Sequence, residues 1–195
     1  PEVAARDALA GLLKKYDHLT DFGKHIIPAA INDHRVYAYP FRGYWEDIGT
    51  IETFYTANLE LVRQPKPDFS FYDREFPIFT RPRVLPPTKI LDGIIKESIV
   101  CDGCIIKNAR IVNSIIGIRT RVEENTTVEY SLLMGADTYQ SEAERAADLA
   151  AGIPPLGIGA NSIIRRAIID KNVHIGRNVK IINKDNVQNV ERESE

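Results

Sequence analysis

The stretch ILDGIIKESIVCDGCIIKNARIVNSIIGIRTRVEENTTVEYSLLM, residues 90–134, decides the fold. An aliphatic residue returns at every sixth position. Ile94, Val100, Ile106 and Val112 share one register, which slips by four to Ile116 and resumes through Val122, Val128 and Met134. After an interruption the pattern restarts at Ile158 and Ile164, slips by five to Ile169, and continues through Ile175, Ile181 and Val187. Neither a helix of period 3.6 nor a strand of strict period 2 gives this spacing. A fixed short period marks a solenoid, and six residues per step is the hexapeptide form of a parallel β-helix. Small or polar residues fall between the anchors, among them Gly103, Asn108, Gly117, Asn125, Asn172 and Gly176. Corners between short flat strands need them, because Gly and Asn tolerate positive φ. Three hexads per turn would give roughly four turns, enough for neighbouring coils to bury a continuous aliphatic row. Ordinary sandwich strands would explain Ile115-Ile116 or Ile163-Ile164 singly, but not the kept register.

Outward from the repeat, residues 136–157 form an excursion from one corner. Ser141 and Glu144 there fit a capping box ahead of a helix-forming run to Leu149. On the other side, residues 65–89 carry Pro65, Pro67, Pro77, Pro82, Pro86 and Pro87 among Phe69, Phe71, Tyr72, Phe76 and Phe79. Such a segment reads as an extended linker held on a surface by its aromatics.

Residues 1–64 read as α/β. An amphipathic helix spans 3–16, with Lys14 and Lys15 in its last turn. A second runs from Phe22 to Ile31, capped by Thr20 or Asp21 and kinked or shortened by Pro28. Val36 to Phe41 alternates like a strand. Then comes Gly43-Tyr44-Trp45-Glu46-Asp47-Ile48-Gly49-Thr50, in which two glycines bracket the only Trp and two adjacent acids. Thr50 caps a helix from Ile51 to Val62. Asp47 would sit at a strand end, where ligands gather in open α/β sheets, and Mg²⁺ seeks carboxylate oxygens of this kind. The other reading makes Asp47 a turn cap and Trp45 a core residue.

The expected organisation is therefore residues 1–64 as an α/β domain end, 65–89 as a linker and 90–195 as the β-helix. The first residue is Pro, not Met, and residues 190–195 form a charged run with no evident cap, so the chain reads as a piece of a longer one.

Net charge is −2, from 25 basic and 27 acidic residues, which offers no footprint for nucleic acid or an anionic membrane. No apolar run reaches the length of a membrane span, and no secretory signal is visible. Cys101 and Cys104 form a lone C-x-x-C with no second pair. It reads as small corner and strand residues, or else as a redox motif or half a zinc site.

The residues also match a known family. Asp21-Phe22-Gly23, the Gly43–Thr50 run, Pro67-Asp68-Phe69-Ser70-Phe71-Tyr72-Asp73 and Leu85-Pro86-Pro87-Thr88-Lys89 resemble the C-terminal part of glucose-1-phosphate adenylyltransferases. So do Ser131-Leu132-Leu133-Met134-Gly135-Ala136-Asp137 and Ala167-Ile168-Ile169-Asp170-Lys171-Asn172, which continues into Val179–Val187. The likeness is nearest to the cyanobacterial and plant small-subunit type and covers the chain almost end to end.

The resemblance implies the end of an α/β nucleotidyltransferase domain followed by a left-handed parallel β-helix. It implies formation of ADP-glucose and pyrophosphate from ATP and glucose 1-phosphate with Mg²⁺, for glycogen or starch synthesis. Asp47 matches a metal-binding, catalytic carboxylate, with Trp45 and Glu46 in the substrate-binding motif. Arg83 matches an arginine for effector phosphate and Lys180 an activator-binding lysine; Lys180 also suits a solvated edge strand. A homo- or hetero-tetramer is implied, regulated by phosphorylated metabolites, in bacterial cytoplasm or a plant plastid. Two other readings remain. One is a non-catalytic regulatory or assembly subunit of the same architecture. The other is a hexapeptide acyltransferase with His174 as base, which the Trp45–Thr50 motif and the proline segment argue against.

Overall fold

The computed structural model describes residues 2–18, 20–32, 34–63, 69–75 and 77–184. Val187, Pro65, Pro67, Phe76 and the charged run 190–195 lie outside the described residues. The chain divides into two compact units, Pro1–Gly43 and Tyr44–Glu195.

In the first unit, α1 spans Glu2–Lys15 and ends on its two lysines. Asp21 caps the next element, its carboxylate accepting the Lys24 N–H at 2.7 Å. One helix from Phe22 to Ile31 is not what forms. A π-helical turn, Phe22–Ile26, runs into the short α2, Ile27–Ala30. Pro28 sits in the first turn of α2, where a missing N–H costs nothing. The strand read at Val36–Phe41 is absent: the segment is extended, but no described residue pairs with it. Alternation specifies a strand only when a neighbouring strand can complete the ladder. Here Tyr37 and Tyr39 stand exposed instead.

The second unit is a parallel β-helix with three faces. The first face stacks Lys89–Ile90, Ile105–Ile106, Arg121–Val122, Gly157–Ile158 and His174–Ile175. The second stacks Gly93–Lys96, Ala109–Val112, Thr127–Glu129, Ile163–Arg165 and Lys180–Ile182. The third stacks Ile99–Val100, Ile115–Ile116, Leu132–Leu133 and Ile168–Ile169. Every pairing is parallel.

The strict hexad is a slight misreading. Ile95 pairs with Ile111, sixteen residues on, and Ile111 with Val128, seventeen on. A coil is thus shorter than three hexads, and the apparent slips are where five-residue steps accumulate. The core row runs through Ile106, Ile111, Ile116, Val122, Val128, Leu133, Ile158, Ile164 and Ile169. Ile94, Val112 and Met134 are therefore not core anchors; their neighbours Ile95, Ile111 and Leu133 are. Ile94 points outward and is 57% exposed. Met134 faces the other way, against a satellite cluster.

That cluster explains the aliphatic doublets. α3, Ile51–Glu60, and the residues after it lay Phe54, Leu59, Leu61 and Val62 against Ile99, Ile115, Leu132 and Ile168, the outer row of the third face. Strands buried on both sides lose the in–out alternation. Thr50 caps α3 through a reciprocal pair with Thr53, and the Tyr55 hydroxyl donates to the Tyr130 carbonyl at 2.6 Å.

The corners adopt positive φ in register. Asn108, Asn125, Asn161 and Asn178 stack at one corner, and Glu97, Asn113, Tyr130 and Arg166 at the next. The Asn108 amide donates to the Asn125 side chain, and Asn125 to Asn161, both at 3.3 Å. Asn is the cheapest residue with a side chain in this conformation. Gly135 is required for another reason: at φ 92°, a Cβ there would lie 2.3 Å from the Ile118 carbonyl oxygen.

Buried serines link successive coils. Ser131 Oγ donates to the Glu129 carbonyl at 2.8 Å and accepts the Ala167 N–H at 3.2 Å. Ser114 does the same one coil earlier, with the Val112 carbonyl and the Ser131 N–H. Ser131→Ala strands the Ala167 N–H, while the Glu129 carbonyl keeps the Arg166 N–H at 3.1 Å, so we expect a loss of about 1–3 kcal/mol in urea unfolding. A loss no larger than a few tenths would show the ladder to be incidental.

Candidate functional site

The Gly43–Thr50 run is a loop whose shape follows from its polar residues. Asp47 Oδ1 accepts the Gly49 N–H at 3.1 Å, an Asx turn that leads the chain into the Thr50 cap of α3. Its other carboxylate oxygen takes no hydrogen bond from the described residues. Trp45 is not core: it is 73% exposed. Glu46 is exposed beside it. Tyr44 stacks at a tilt on Phe69, with ring centroids 5.8 Å apart, and Phe69 meets Phe71 edge-on. The linker aromatics thus hold the loop from one side.

For Mg²⁺, Asp47 supplies a donor of the right class, a hard carboxylate oxygen in reach of solvent. Among the described residues no group of three or more His, Cys, Asp and Glu side chains is placed to hold a metal. Asp47 stands there as a single carboxylate, with Glu46 next in sequence.

Arg83 is exposed on the extended run that leads into the first coil. Lys180 is exposed on the last strand of the second face, paired with Ile163. No described contact joins Arg83 to Lys180 or either to Asp47. His174 Nδ1 lies 2.6 Å from the Pro154 carbonyl and 3.8 Å from Asp148. That ring nitrogen is engaged in tying down the excursion.

The C-x-x-C is not placed for redox chemistry. Cys104 is buried in the core row and donates to the Gly117 carbonyl at 3.1 Å. Burial pushes its thiol up to about 11, and burial raises Cys101 too. Both are protonated at neutral pH and poor nucleophiles.

A charged cluster that the sequence reading missed lies where α4, Glu142–Ala150, meets the first face. The Glu123 carboxylate receives Arg121 Nε at 2.6 Å, Lys107 Nζ at 2.8 Å and Arg145 Nη2 at 3.3 Å. The signal was the coil period itself: Lys107 and Glu123 are sixteen apart and stack. Burial alone would raise the Glu123 carboxyl, but hydrogen bonds from Arg121 and Lys107 overcome this and hold it below the glutamate range. A depressed folded pKa stabilises above the unfolded value and is lost as pH falls through the folded one. Thermal melting of the chain should therefore hold from neutral pH to about 5 and fall below about 4.5. The acid limb should flatten in Glu123→Gln. An identical limb would show that other carboxylates carry it.

A second carboxylate, Glu129, bridges Arg110 at 3.0 Å and Arg165 at 2.9 Å across three coils of the second face.

The chain's first part, residues 2–64, matches the nucleotidyl transferase family. Residues 83–195, more than half of the chain, match the model of the GLGC left-handed parallel beta-helix domain. The order of the two matches fits the order of the elements: helices and the Trp45 loop first, three-faced coils after. The chain belongs to the GLGC left-handed parallel beta-helix domain family, carrying a nucleotidyl transferase segment ahead of it.

Proposed function

We propose that the chain is the C-terminal portion of a glucose-1-phosphate adenylyltransferase. The observation that supports this reading is the joint presence, in this order, of a nucleotidyl transferase segment and the GLGC β-helix. In the proposed reaction a phosphate oxygen of glucose 1-phosphate attacks the α-phosphorus of ATP. The new P–O bond forms as the α–β bridging bond breaks, giving ADP-glucose and pyrophosphate. Mg²⁺, when bound, neutralises charge on the phosphates and orients them. Asp47 contributes a carboxylate to its site. Trp45 and Glu46, in the same loop, bind substrate in this proposal.

Arg83 and Lys180 bind phosphorylated effectors in this proposal, the first as a fork for phosphate oxygens and the second as a point charge. Assembly as a tetramer belongs to the same proposal. The test is pyrophosphate release by the enzyme with its complete nucleotidyltransferase domain. Release that requires both ATP and glucose 1-phosphate supports the reading. Release without the sugar phosphate, or none at all, contradicts it.

A further inference from the structure

Beside the Glu123 cluster lies an open cleft of about 340 Å³, between α4 and the corner after the first face. Lys107, Arg145 and Arg177 bring positive charge to it, and Arg121 stands behind Glu123. The carboxylates present are Glu123 and the exposed Glu124 at the rim. Counting Arg121, which pairs with Glu123 but does not line the cleft, four cations are set against two carboxylates. Glu123 alone serves three of them, and Arg177 has no hydrogen bond or ion pair among the described residues. The Lys107, Arg121 and Arg145 side chains are at most 27% exposed, so water screens their excess charge poorly. Half-buried cations in excess of their counter-charges call for an anion. Leu149, Pro155, Leu156 and Ile158 add an apolar part to the lining.

The geometry points to a binding site for a small organic dianion, phosphate-bearing or dicarboxylate, on a short carbon skeleton. The charged end meets Lys107, Arg145 and Arg177; the carbon end meets the apolar part of the lining. Forked guanidinium groups suit either acid. This site is built by the excursion and its corner. Lys180 and Arg83 take no part in it, so it stands or falls separately from the effector positions proposed above.

The test is titration of the full chain with inorganic phosphate and, separately, with succinate. Ionic strength is held constant, with calorimetry and backbone amide shifts as readouts. Saturable binding of either probe is expected, with shifts centred on Gly159, Ala160 and Arg177. Phosphate binding alone would mark a phosphate site and succinate binding alone a dicarboxylate site. Lys107→Gln and Arg177→Gln should each weaken binding by about fivefold or more, since each removes a charge-assisted contact. Glu123→Gln should tighten it, because the carboxylate competes for the same cations; a purely structural ion cluster would not respond so. Arg177 is exposed, so its variant reads out even where Lys107→Gln unfolds. No saturable binding of either probe, or binding indifferent to Arg177→Gln, overturns the site.

Discussion

Ile106→Asp should unfold the β-helix or cost it several kcal/mol, because it places an unpaired carboxylate in a dry aliphatic row. Ile106 is fully buried, stacked in register between Ile90 and Val122. In a solenoid each coil holds only its neighbours, so a charge in one coil breaks the stack on both sides. The matched control is Ile94→Asp. Ile94 occupies an outward position, and its substitution should change stability by no more than about 0.5 kcal/mol. Urea unfolding of both variants checks the register directly. Equal losses would mean that inward and outward rows are wrongly assigned.

Asp47→Asn should lower kcat about a hundredfold or more in the enzyme with its complete nucleotidyltransferase domain. The change keeps the shape and removes one negative charge. If Asp47 holds Mg²⁺ against the reacting phosphates, that loss is felt most where charge shifts onto the bridging and leaving oxygens. KM for glucose 1-phosphate should move less than kcat, and added Mg²⁺ should recover part of the rate. Asn can still accept the Gly49 N–H, so the Asx turn survives and melting should stay near that of the parent. A variant nearly as fast as the parent removes the metal role. One that is slow only because it melts early makes Asp47 a structural cap.

The residues differ in how plainly they announced this structure. The coil could be read because each inward aliphatic repeats, and the Thr50 and Ser141 caps because capping is local chemistry. Which member of an Ile-Ile doublet faces in could not, since α3 makes the outer row of the third face apolar as well. The coil length was blurred because corners of different length give sixteen or seventeen residues per turn. Val36–Phe41 had a strand's pattern but lacked a partner in the described chain. The Glu123 cluster joins groups from two coils and the excursion, which no single window of sequence holds together. Asp47 is a different case. Its turn is visible from its own neighbours, whereas its role comes from the likeness to a family.

The most direct test of the adenylyltransferase reading is nucleotide choice. The complete enzyme is given glucose 1-phosphate and Mg²⁺ with ATP, UTP, CTP, GTP or dTTP in turn, and each sugar nucleotide is quantified. The account predicts ADP-glucose, formed with a kcat/KM for ATP well above that for any other nucleotide, and lost in Asp47→Asn. A preference for another nucleotide, or ADP-glucose formed equally well by Asp47→Asn, would contradict it.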